Sequence, residues 1–126
     1  MAKTHNRSVR IAGRGSKLLL DRYTGTDASQ AVTIHGSYVV ITSSTANLGA
    51  DTSETITLTN RYITANSHII PTVSTTGTGA PVVSSVVPAA GSCTIVVRNV
   101  NAGTALNAVY ILRLTIIGDG RTDRSA

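Results

Sequence analysis

The segment Glu54–Asn60 runs E-T-I-T-L-T-N, with Ile56 and Leu58 on one side of an extended chain and Thr55, Thr57 and Thr59 on the other. Only a strand with one buried face keeps such a two-residue period. The pattern returns twice. Ser92–Val100 sets Cys93, Ile95 and Val97 against Thr94, Val96 and Arg98, and Asn107–Ile117 sets Tyr110, Leu112, Leu114 and Ile116 against Val109, Ile111, Arg113 and Thr115. Shorter candidates are Ala31–His35 and Ser37–Thr42, interrupted at Gly36, then Ser67–Ser74 around Pro71, and Pro81–Pro88 with an irregularity at Ser84–Ser85. Proline lacks an amide donor, so the strand holding Pro71 belongs at a sheet edge or bends there. No stretch keeps a helical period. The 13 Val, 11 Ile and 19 Thr point the same way, since β-branched side chains suit a pleated surface and lose freedom in helices. About seven short strands at near-regular spacing predict an antiparallel β-sandwich or barrel. Its core includes Ile56, Leu58, Ile95, Val97, Leu112 and Leu114. The last strand is apolar on both faces except at Arg113, which predicts a central strand or a second face covered by another subunit; oligomerisation is the expectation, since a monomer of this size should not show water that much Val and Ile.

A chain of 126 residues is one domain by length. Its charge divides it. Lys3, Arg7, Arg10, Arg14, Lys17 and Arg22 lie in the first 24 positions, opposed only by Asp21, and the other 102 residues balance to zero. The predicted layout is a basic N-terminal arm and linker over 1–30, a β-sandwich over 31–117 and a polar tail over 118–126. The turn cluster 25–30 separates arm from body. No apolar run is long enough for a membrane span or for the core of a signal peptide, so the expectation is a protein made and used without crossing a membrane and with no membrane partner. Cys93 is alone and lies in an apolar face, which predicts a buried, inert thiol and no intrachain disulfide.

Chemistry-bearing residues are sparse. His5, His35 and His68 have no ligand spacing, and no acidic cluster completes a metal site. Asp51 and Glu54 are the closest acidic pair of the body and flank a strand start, where solvated carboxylates are ordinary. The segment Gly13-Arg-Gly-Ser-Lys17 lacks the spacing of a phosphate-cradling loop, and Asp119–Asp123 is too short for a calcium loop. The expectation is no enzyme, no metal and no cofactor. The basic arm is the remaining constellation. Flexible Lys and Arg neutralise phosphates, but the arm lacks the aromatic platforms of single-strand binders. Its apolar residues, Val9, Ile11, Leu18, Leu19 and Leu20, suit pegs in a protein groove, with Lys3, Arg7, Arg10, Arg14, Lys17 and Arg22 pairing to carboxylates at the rim. A solvated tail is the plain alternative.

The body also carries longer patterns: T-x-T-L-T-N-x-x-I-T-A-x-S from Thr55, G-x-P-V-V-x-x-V-x-P-x-A-G-S from Gly79 and V-R-N-x-x-x-x-x-A-L-N from Val97. Together, over Thr52–Ile117, they resemble a β-rich module of tailed bacteriophages found in capsid decoration (cement) proteins and in head-fibre or tail-fibre proteins. Ala108 stands where that module has Gly after Ala-Leu-Asn. The resemblance covers about half of the chain and excludes the arm. It implies a jelly-roll-like sandwich, a homotrimer and no catalytic residues. A short chain of this kind, with a basic arm and no shaft, leads to the expectation of a decoration protein on the exterior of a virion capsid, its partner the major capsid protein. The alternatives are a receptor-binding fibre module, and a small coat protein whose arm faces nucleic acid.

Overall fold

A computed structural model describes residues 20–118. It is all-β: β1 (Arg22–Thr26), β2 (Ala31–Thr33), β3 (Tyr38–Thr42), β4 (Ser53–Thr59), β5 (His68–Thr75), β6 (Pro81–Ala89), β7 (Ser92–Asn99) and β8 (Tyr110–Ile117). They form a β-sandwich of two four-stranded sheets, ordered β1-β3-β8-β5 and β2-β4-β7-β6.

The chain changes sheet at six of its seven connections; only β6 and β7 form a local hairpin. This winding explains a departure from the expected antiparallel pairing. A chain that runs up one sheet and down the other lays every second strand in the same direction, so β1 pairs parallel with β3 and β2 parallel with β4. The remaining ladders are antiparallel. β3 with β8, and β4 with β7, are nested pairs, one in each sheet.

A second departure is β1 itself, an eighth strand inside the stretch assigned to the arm and linker. Its sequence, Arg-Tyr-Thr-Gly-Thr, exposes four of five residues and shows no apolar alternation. Backbone pairing to the edge of β3 makes it a strand, rather than burial of its side chains. The turn after it is tight: Ser29 and Gln30 both adopt positive φ (51° and 64°) while Ala28 and Ala31 exchange backbone hydrogen bonds. Left-handed backbone at non-glycine residues is unfavourable. The buried Asp27 holds it in place, accepting from the Gln30 amide at 2.9 Å and from the Ser44 amide at 2.7 Å.

Between the sheets lie Val39 and Ile41 of β3, Ile56 and Leu58 of β4, Cys93, Ile95 and Val97 of β7, and Tyr110, Leu112, Leu114 and Ile116 of β8, with Ile34, Leu48, Ile63 and Leu106 from connections. The six core residues expected from parity are all fully buried. β8 is central, one of the two outcomes its double apolarity allowed, and the outer face of its sheet mixes Tyr38, Val40, Ile70 and Ile111 with Thr42, Thr72, Ser74, Thr115 and Arg113. β5 and β6 are the edges on one side. Pro71 sits in β5, Pro81 and Pro88 bound β6, and β6 bulges between Val83 and Ser85, where the sequence suggested an irregularity. Prolines and bulges keep edges from pairing with other chains.

Candidate functional site

The site assembles where the chain enters β1. An open cleft of about 550 Å³ is lined by Leu20, Asp21 and Tyr23 on this entry, by the turn His35–Ser37 between β2 and β3, and by Arg61 and Tyr62 after β4.

Its frame is rigid for local reasons. Asn60 is fully buried at the end of β4; its side-chain amide donates to the Gly36 carbonyl at 2.8 Å, and its side-chain oxygen accepts from the Tyr62 amide at 2.9 Å. One side chain therefore fixes two walls. The Asn60 amide also donates to the Gly91 carbonyl, and the Gly91 amide to the Ile63 carbonyl, which ties the turn to the β6–β7 hairpin. Gly36 is required by contact: a Cβ there would lie 2.3 Å from Cδ2 of Tyr23, whose ring lies against this backbone. His35 Nδ1 accepts from the Arg61 amide at 3.0 Å, which leaves Nε2 facing away from that bond. The Arg61 guanidinium lies 5.1 Å from the centre of the Tyr62 ring and donates to the Tyr62 hydroxyl at 3.2 Å. Tyr23 and Tyr62 remain 44% and 52% exposed. The Asp21 carboxylate and Ser37 hydroxyl make no hydrogen bond among the described residues, and Arg98–Asp51 is the ion pair found among them, so Arg61 has no carboxylate partner there.

The opposite end of the sandwich holds a second polar cluster, and it is closed. Tyr110, fully buried at the start of β8, donates its hydroxyl to Glu54 Oε2, and Glu54 Oε1 accepts from Thr45 at 3.0 Å. Burial first, then the hydrogen bond and charge of Glu54 and the charge of Asp27, push the Tyr110 phenol far above its ordinary range. Ser43 bridges the same corner, accepting from the Tyr110 amide and donating to the Thr45 carbonyl. Asn99, also fully buried, accepts from the amides of Ala80 and Asn101 and donates to the carbonyls of Leu48, Gly49 and Thr104, joining three loops. These groups are spent on one another.

Of the arm residues expected to bind, Leu20 lines the cleft half-buried and Arg22 is exposed on β1. Lys3, Arg7, Arg10, Arg14, Lys17, Leu18 and Leu19 lie outside the described residues. Asp51 pairs with Arg98, whereas Glu54 turns inward to Tyr110 instead of lying solvated at the strand start. His35 joins the cleft and His68 stands exposed at the start of β5, while His5 lies outside the described residues. Cys93 is 1% exposed in the core, and burial pushes its thiol up to about 11. Among the described residues no three His, Cys, Asp or Glu side chains converge as metal ligands, and no helix is long and apolar enough to cross a membrane.

Sequence reasoning missed Tyr23, Arg61 and Tyr62. Its one available signal was the polar-aromatic pair Arg61-Tyr62 directly after a strand end in a chain with only four aromatic residues. The asparagines of the L-T-N and V-R-N patterns prove to be the buried braces Asn60 and Asn99, so the most informative letters of those patterns mark structure. Compared with known proteins, the chain matches no family model, no curated protein and no solved structure.

Proposed function

We propose that this chain is a structural virion protein, a decoration (cement) protein that binds the outside of a phage head as a homotrimer and stabilises the lattice of major capsid proteins. The carrying observation is the segregation of charge from fold. Residues 20–118 hold four Arg against four acidic residues, and the whole excess of +5 lies in residues 1–19. A neutral sandwich with its own core needs no help from that segment. The segment is therefore available to an external surface bearing carboxylates, with Leu18 and Leu19 as apolar contacts. A protein that binds only the assembled lattice stabilises it by mass action. The apolar side chains Tyr38, Val40, Ile70 and Ile111 left on the outer sheet face support self-association, and the nested pairs β3/β8 and β4/β7 support a jelly-roll-like winding.

Because residues 22–26 form β1, a variant that removes the basic segment and spares the fold begins at residue 20. Mixed with undecorated heads and viewed by cryo-microscopy, the full chain should cover the lattice, and the variant should leave it bare while keeping its melting temperature. Full occupancy by the variant would move the contact to the sandwich. Tight, salt-sensitive binding of the full chain to DNA or RNA, with no affinity for heads, would replace the proposal by the coat-protein reading.

A further inference from the structure

We infer that the cleft framed by Asn60 is a binding site for a neutral saccharide, with Tyr62 and Tyr23 as stacking platforms and Asp21, Ser37, His35 and Arg61 as hydroxyl partners. The inference does not depend on the capsid reading.

Three observations carry it. The cleft, at about 550 Å³, falls in the range of roughly 300–1,000 Å³ common for small-ligand sites. Its walls are held before any ligand arrives, because the buried Asn60 bonds both Gly36 and Tyr62. Two half-exposed tyrosine rings border it although the chain has only four aromatic residues. The far end of the molecule shows what a tyrosine does here when its role is structural: Tyr110 is fully buried and bonded.

The polar groups select the ligand class. Asp21 can only accept hydrogen bonds, Arg61 can only donate, His35 Nε2 faces away from the bond its ring already makes, and the Ser37 hydroxyl does both. Adjacent sugar hydroxyls also donate and accept side by side, and the C–H face of a pyranose ring packs on an aromatic face. A phosphate-rich ligand fits worse, since Asp21 stands in the same cleft as its fixed cation, Arg61. An aliphatic ligand fits worse still, as Leu20 is the one aliphatic side chain of the lining.

Saturation-transfer NMR on the full chain, with the methyl glycosides of glucose, galactose, mannose and N-acetylglucosamine, tests the site. Transfer to at least one glycoside is expected. Tyr62→Ala and Asp21→Asn should each weaken it by about tenfold, Val87→Thr at the exposed edge strand β6 should leave it unchanged, and all three variants should keep the melting temperature. No transfer to any of the four glycosides, or transfer that survives Tyr62→Ala, overturns the inference. So does a short oligonucleotide that binds more tightly than every glycoside and is lost with Tyr62→Ala.

Discussion

The two ends of this sandwich use the same side-chain types in opposite ways. At the far end a tyrosine, two carboxylates and an asparagine are buried or half-buried and bonded within the fold: Tyr110 to Glu54, Asp27 to the Ser44 hydroxyl and the Gln30 amide, Asn99 to five backbone groups. At the cleft end an asparagine is again buried, but the tyrosines, the carboxylate of Asp21 and the guanidinium of Arg61 face solvent. A buried polar group that loses its partner costs its full desolvation, whereas an exposed one keeps water in its place. The far end therefore has nothing to offer a ligand without losing stability. The exposed side chains of the cleft end can exchange water for a ligand at little cost.

The largest effect that tests this contrast comes from Asn99→Ala. It leaves two amides and three carbonyls without their side-chain partner and should lower unfolding free energy by about 2–4 kcal/mol, read from the denaturant midpoint. A loss below that of an ordinary surface substitution would mean that the far-end network is solvated after all.

Alkaline titration should give an effect of similar size. Both Cys93, raised from 9.0 to about 11, and Tyr110, raised from 10.0, bind their protons more tightly when folded. Their contribution is complete below the unfolded thiol value and is lost as pH rises through the folded ones. Cys93 alone should remove about 2–3 kcal/mol between pH 9 and 11, with Tyr110 adding to the decline above about pH 10. Denaturant midpoints across that window measure it, and a Cys93→Ala background isolates the tyrosine. A flat midpoint would contradict the tight burial of both groups.

The smallest effect is expected at the cleft. Tyr62→Ala should change stability by no more than about 0.5 kcal/mol, because the ring is half exposed and the Asn60 bond runs to its backbone amide. A loss as large as that of Asn99→Ala would make the cleft end structural too and erase the contrast.

The difference between the ends also governs what the sequence disclosed. β3 to β8 were legible because alternation records which face is buried, and Ile56, Leu58, Ile95 and Leu112 follow it without exception. β1 was not, since an exposed edge strand held by backbone bonds leaves no apolar period. Nor were the parallel pairs, because alternation names a strand's faces and never its neighbours. The cleft was hidden for a related reason: Tyr23, His35 and Tyr62 are far apart in the chain and meet only through crossings between sheets. Asn60 and Asn99 stood in plain view within quoted patterns, yet an asparagine at a strand end reads equally as a solvated turn residue.

The strand order also dictates when this protein can fold during synthesis. β8 lies between β3 and β5, and β7 lies between β4 and β6. Until residues 92–117 have been made, β5 and β6 have no neighbour within their own sheets, and β3 and β4 have only the short β1 and β2. The β6–β7 hairpin is the single ladder that a local turn can close; every other ladder waits for a long loop to close. A nascent chain therefore leaves the ribosome with most of its ladders unmade and must order the two sheets late and slowly. Its last strand is the keystone of the β1-β3-β8-β5 sheet, and a chain cut before Tyr110 would keep every strand of the other sheet but leave β5 without a neighbour and the core without one of its layers.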